Sequence, residues 1–141
     1  MTALNLNSIR KDIEERAIIE FNGAPVIKLI FNNQPFNPSN EINFIQFLVE
    51  FTNTEYLTQI GTTNNFNNLT GIITINIFSK IGIGIGSNLT MAQRIRNLYN
   101  RVKLNDIFFE PSSGPTVIQN AAPEGYFQSV MSISFEVLES L

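Results

Sequence analysis

The side chains able to do chemistry in this sequence are carboxylates, lysines, tyrosines and hydroxyls, because its 141 residues include no His and no Cys. That removes the Ser-His-Asp and Cys-His nucleophile systems, the imidazole general base, and the ordinary zinc, haem and iron–sulfur sites. A disulfide framework is excluded as well, so the core must carry stability unaided. Acid–base work would therefore fall to paired carboxylates. Glu14 and Glu15 are neighbours on an expected helix and project about 100° apart, so they do not address one site. Glu50 and Glu136 fall on the polar faces of two expected strands and could approach each other, but no feature of the sequence buries them or perturbs their ionisation. Metal binding by carboxylates alone calls for a cluster such as D-x-D-x-D-G, which is missing. The chain reads as a non-enzyme with no cofactor and no metal.

Two further patterns invite a binding role. Gly82-Ile83-Gly84-Ile85-Gly86-Ser87 follows an expected strand and precedes an expected helix, the setting of a dinucleotide-binding turn. The fingerprint G-x-G-x-x-G needs Gly at its sixth position, where Ser87 stands, and no βαβ unit surrounds it. A flexible strand-to-helix connection is the better reading. Arg94, Arg96 and Arg101, with Lys103 just beyond, concentrate basic residues on one helix face, although the whole chain carries a net charge of −3. A nucleic-acid-binding domain is usually basic overall and interleaves stacking aromatics, which are lacking here. This face reads first as solvated, next as a salt-bridge partner for an acidic protein neighbour, and last as a phosphate contact.

The elements that must position these residues follow from periodicity. Leu6, Ile9, Ile13, Ala17 and Phe21 form a four-residue-spaced stripe after Ser8, a candidate N-cap, and predict a helix that Gly23 and Pro25 end. Arg10–Glu14, Lys11–Glu15, Asp12–Arg16 and Arg16–Glu20 are i,i+4 pairs of opposite charge on it. Ile18 and Ile19 fall off the stripe; either the helix frays there or they meet another subunit. Extended patterns cover Val26 to Phe31, Phe44 to Thr52, Ile72 to Ser79 and Phe127 to Val137. In the second, Ile45, Phe47, Val49 and Phe51 share a face; in the third, Ile73, Ile75 and Ile77 do. Such alternation implies one buried and one wet face and favours antiparallel pairing. Asn88 is a candidate cap for a second helix with Met91, Ile95, Leu98 and Val102 on one face. Residues 106–119 read as two short strands about a Ser-Ser-Gly-Pro turn. The expectation is a single-domain, two-layer α+β fold, a mainly antiparallel sheet with two helices packed on one face.

Composition and one loop add an assembly signal. Charged residues make up only 15%, against roughly 25% in an average soluble protein. Asn and Ile are abundant, consistent with AT-rich coding bias and equally with a surface shared among neighbours. Residues 53–68 form an expected loop beyond the usual length. Its Tyr56, Leu57, Ile60 and Phe66 are more apolar than free solvation requires, which favours a neighbouring subunit as their partner. No targeting or membrane-spanning segment is evident, so a cytosolic-type protein is expected.

The layout resembles the tail terminator (tail completion) proteins of long-tailed bacteriophages. The features that carry the likeness are the N-terminal helix, Phe-Asn-Asn-Gln-Pro-Phe-Asn-Pro at 31–38, the strand near 44–52, and Tyr-Leu-Thr-Gln-Ile-Gly at 56–61. Gly71 opening an Ile-rich strand, the glycine-containing loop near 82–86, the helix near 89–102 and Tyr126-Phe127-Gln128 complete it. The resemblance implies a virion subunit, assembled in the host cytoplasm, that forms a homohexameric ring on the head-proximal end of the tail tube. That ring would end tube polymerisation and offer the attachment surface for the head. Its implied partners are its own copies, the major tail tube protein, a neck, connector or head completion protein, and a sheath protein if the tail contracts. DNA would pass through the lumen only in transit, and an acidic lumen would let it slide; no membrane is involved. Another neck ring subunit is the nearest alternative, and a small ligand-binding α+β accessory domain is the alternative from a different class. Ile18, Ile19, Tyr56, Leu57, Ile60, Phe66, Arg94, Arg96 and Arg101 are the candidate interface residues.

Overall fold

A computed structural model of the chain describes residues 5–32, 34, 41–56, 66–82, 84–118 and 125–140. The first helix, α1 (Leu6–Phe21), begins three residues earlier than a Ser8 cap would place it. Asn5 is its cap, its side-chain oxygen accepting the Ser8 backbone N–H at 3.1 Å. Ile9, Ile13, Ala17 and Phe21 are buried as the stripe requires. Of the four helix-surface ion pairs, Arg10–Glu14 forms at 2.6 Å, whereas Arg16 and Glu20 turn to partners on the second helix.

Among the described residues, six strands follow one another across the sheet and a seventh joins its margin. They are β1 (Lys28–Phe31), β2 (Asn43–Tyr56), β3 (Phe66–Lys80), β4 (Lys103–Leu104), β5 (Ile107–Phe109), β6 (Ser113–Ile118) and β7 (Tyr126–Ser140); α2 (Gly86–Tyr99) lies between β3 and β4. The order is β1-β2-β3-β7-β5-β4, with β6 pairing on β7. β1 runs parallel to β2 and every other pair is antiparallel.

The expected two-layer α+β fold with a mainly antiparallel sheet is therefore overturned: the sheet is mixed and curls into a half-barrel. Three features account for the curl. β2, β3 and β7 are 14 to 15 residues long, so strand twist accumulates along them. A register shift between Phe51 and Asn53 bends β2. At Gly71 the strands close on each other, since a Cβ there would lie 2.3 Å from the Phe135 ring and 2.6 Å from the Glu50 carbonyl. Neither the parallel strand nor the curl has a signature in period-two alternation.

Inside the curl, one cluster joins Ile13, Ala17 and Phe21 of α1, Met91, Ile95 and Tyr99 of α2, and Ile45, Phe47, Ile73, Ile75, Ile77, Met131, Ile133 and Phe135 of the central strands. A second, smaller cluster of Ile30, Phe44, Phe78 and Tyr126 sits on the opposite face. There Phe44 stacks on Phe78 at 4.5 Å, and Tyr126 meets Phe44 edge-on. The Tyr126 hydroxyl donates to the Glu41 carbonyl. The hairpin expected at 106–119 does not form, because β5 and β6 each pair with β7 and not with each other.

Candidate interaction surface

The arginines read as one basic face separate once their partners are seen. Arg94 is spent inside the molecule. Its guanidinium donates to the Glu20 carbonyl at 2.7 Å, to the Pro25 carbonyl at 2.8 Å and to the Glu20 carboxylate at 3.2 Å, and lies 4.4 Å from the Phe21 ring centre. These contacts close the C-terminus of α1, whose last turn has no basic residue of its own. Arg16 returns the arrangement, donating to the Leu98 carbonyl in the last turn of α2 at 2.9 Å. Arg94 thus serves as a helix clasp, while Arg96 and Arg101 remain exposed to solvent. Arg101 has φ 57° in the turn after α2, so its placement follows the turn and not a helix face.

Asn88 does not cap α2. Ile85 occupies the cap position with no side-chain hydrogen bond, and Asn88 is wholly buried inside the helix. Its amide donates to the Ile77 carbonyl at 3.1 Å and the Ser79 hydroxyl at 3.3 Å, and its oxygen accepts from the Ser129 hydroxyl. This buried polar knot ties the start of α2 to β3 and β7, with each partner satisfied. Beside it, Lys80, Ile81, Gly82, Gly84, Ile85 and Phe127 line an apolar cavity of about 260 Å³. The wall has little polarity to offer a phosphate, in keeping with a connecting loop.

Burial also marks two titratable groups. The Glu14 carboxyl is pushed up from its ordinary value by burial, an effect partly offset by the Arg10 guanidinium beside it. Burial likewise raises the Tyr99 phenol, whose hydroxyl donates to the Ile13 carbonyl at 2.6 Å. Both groups lie in the helix layer, where the nearby Glu14 charge adds a smaller push to the rise at Tyr99. Glu50 and Glu136 stand on strands separated by β3, and Glu136 accepts from the Asn68 amide at 3.1 Å. Among the described residues no cluster of acidic side chains could hold a metal ion.

Several large apolar side chains are exposed beside these polar ones. Ile18 and Ile19 lie within an unbroken α1 and are 47% and 69% exposed, so helix fraying does not explain them. Ile18 joins Val26, Leu29 and Phe31 around a trough of about 400 Å³ along β1. Ile42, Ile81, Ile85 and Leu89 are exposed near the start of α2, and Val117 is exposed on β6. Of the loop residues, Tyr56 ends β2 and Phe66 begins β3, so the connection between the strands is shorter than the sequence pattern implied. Leu57 and Ile60 lie outside the described residues. The structure therefore brings Ile18 next to β1 and assigns Arg94 elsewhere. Sequence reasoning missed the trough and Val117, although an uncharged Thr-Val-Ile segment was the available signal for the latter.

Among the described residues no helix is long and apolar enough to cross a membrane. No protein-family model and no curated protein matches the chain. Solved structures do match: one superposes with a TM-score of 0.68 over 96% of each chain, at 16% sequence identity. At that identity the likeness is one of fold alone.

Proposed function

We propose that this chain is a ring-forming structural subunit of a phage tail, closing the head-proximal end of the tail tube and presenting the surface on which the neck is built. The observation that supports this most is the exposed apolar set around α1 and β1, with Ile18 and Ile19 at 47% and 69% exposure. A monomer working alone gains nothing from large apolar side chains grouped on its surface, whereas a subunit covers them with neighbours. The low proportion of charge fits the same reading. In this role the partners are further copies of the chain, the tube protein and a neck protein, and DNA crosses the lumen in transit.

The test is tube capping. Tail tube protein from the same genome is polymerised with and without the purified chain, and tube lengths are measured by negative-stain electron microscopy. The expected result is a narrowed length distribution with added density at one tube end. A chain that stays monomeric in the presence of tubes and leaves their lengths unchanged overturns the proposal. Binding to isolated neck complexes with no effect on tubes assigns it to another ring of the neck.

A further inference from the structure

We propose that Asn22–Gly23, at the C-terminus of α1, is a self-modifying linkage. It converts without an enzyme to a mixture of aspartate and isoaspartate, and the Arg94 clasp withholds the reaction while the helix layer is closed. The inference is independent of the ring reading above.

The reactivity follows from the sequence. Nineteen residues are Asn, and Asn22 alone is followed by Gly. In such a pair the glycine nitrogen, once a base has taken its proton, attacks the Asn Cγ, and no side chain on the following residue obstructs it. The N–Cγ bond forms, the Cγ–Nδ2 bond breaks and ammonia leaves, giving a five-membered succinimide. Water then opens the ring at one carbonyl or the other, leaving aspartate or isoaspartate. Water is the only co-reactant.

Both residues are exposed, so water and base reach them. What the fold withholds is rotation. Asn22 is the C-cap residue of α1, at φ −83° and ψ −13°. Ring closure needs the Gly23 nitrogen to eclipse the Asn22 Cβ, which from that ψ is more than a quarter-turn about Cα–C. The attacking group is itself engaged, since the Gly23 N–H donates to the Glu20 carbonyl at 3.2 Å.

Such a turn also swings the chain beyond it, and that chain is pinned. Arg94 donates to the Glu20 carbonyl at 2.7 Å, the Pro25 carbonyl at 2.8 Å and the Gly23 carbonyl at 3.4 Å. The Ile27 N–H closes on the Phe21 carbonyl at 3.0 Å, so residues 22–26 form a loop tied at its base. Phe21 and Ile27 are both buried, which anchors that tie. The latch comes from α2, 71 residues from Gly23, so it is present only when the two helices are docked.

The product alters the site that made it. A carboxylate at residue 22 lies at the negative end of the α1 dipole. Isoaspartate also adds a methylene to the main chain and displaces the carbonyls that Arg94 grips. Once formed, it keeps open the clasp whose opening allowed it, and so records excursions of the helix layer.

Tryptic cleavage after Arg16 and Lys28 isolates residues 17–28, in which Asn22 is the only amide side chain. A gain of one mass unit in that peptide reports this site alone, and reversed-phase chromatography separates its isoaspartate and aspartate forms. The full chain is incubated in mildly alkaline buffer in three states: native, unfolded in guanidinium, and as Arg94→Met under native conditions. Conversion in the native parent is expected to be at least about tenfold slower than in the unfolded chain. Arg94→Met, with its melting transition retained, is expected to convert at least about threefold faster than the parent. Where Arg94→Met does not fold, Arg94→Lys is read in its place, since its compact ammonium cannot grip three carbonyls as the guanidinium fork does. An unfolded chain that does not convert, or a native chain that converts as fast as the unfolded one, overturns the proposal. A folded Arg94 variant that converts at the parent's rate overturns the assignment of Arg94 as the latch.

Discussion

The two faces of β2, β3 and β7 are built from the same alternating sequence and held by different forces. On the helix side, Ile45, Phe47, Ile73, Ile75, Ile77, Met131, Ile133 and Phe135 are shut away from solvent and interlock with α1 and α2. On the open side, Gln128 donates to Asn76 at 3.0 Å and Asn76 donates to Gln46 at 2.9 Å, an amide chain across three strands. Farther along, Thr52 and Thr70 pair at 3.0 Å. The first face depends on shape, because any lost volume leaves a void among close-packed neighbours. The second depends on hydrogen bonds that water can largely replace. The open face also has a dry end, where Phe44, Phe78 and Tyr126 pack, so "polar face" describes only part of it.

Consecutive residues of β3 give the sharpest way to break this contrast. Ile75→Ala, on the helix side, is expected to cost about 2–5 kcal/mol, a large part of a typical domain's stability. Urea unfolding measures it, and a loss below about 1 kcal/mol would mean the helix layer collapses into the space and is not close-packed. Asn76→Ala, one residue on, removes two half-exposed hydrogen bonds and is expected to cost about 1 kcal/mol or less by the same measurement. A loss as large as that of Ile75→Ala would make the amide chain a structural core in its own right.

The smallest expected effect concerns Glu14. Burial raises its carboxyl above the ordinary 4.5, so the native chain holds that proton to higher pH than the unfolded chain does. Its contribution is therefore fully present below the ordinary carboxylate value and is lost as pH rises through the raised one. Glu14→Gln removes this loss and should gain on the parent by about a degree or two in melting temperature, the gain appearing only as pH rises from about 4.5 towards 7. A difference that is constant across that range would contradict the assigned cause.

What was legible in the sequence is what repeats locally. The alternation at Ile45, Phe47 and Val49 and at Ile73, Ile75 and Ile77 places the central strands and their buried face, and the Ile9–Ile13–Ala17–Phe21 stripe places α1. What was not legible depends on partners distant in the chain. Asn88 carries the same local signal whether it caps a helix or is buried beneath one; its partner Ser129 is 41 residues away. Arg94 looks like a surface residue until Glu20, 74 residues earlier, is beside it. The outer parts of β2 and β3 were hidden because their paired residues, such as Thr54 with Leu69 and Tyr56 with Asn67, lack a sustained alternation. For the interface, Ile18 and Ile19 stood out by breaking a stripe, whereas Val117 required knowing that β6 is a margin.

The reciprocal arginine clasp has a consequence for how the chain reaches this structure. At each helix end one late carbonyl, Glu20 in α1 and Leu98 in α2, accepts from an arginine of the other helix, beside local backbone donors such as the Ile27 N–H on the Phe21 carbonyl and the Val102 N–H on the Tyr99 carbonyl. Helices of 16 and 14 residues are marginal by themselves. The arginine contacts add to this local closure only once both helices have docked on the sheet, across separations of 74 and 82 residues. The helix layer is thus expected to form late and as a unit, after β2, β3 and β7 have paired. A nascent chain still lacking α2 would hold α1 by its Asn5 cap and the local turn alone, without the Arg94 contacts that join it to the rest of the helix layer.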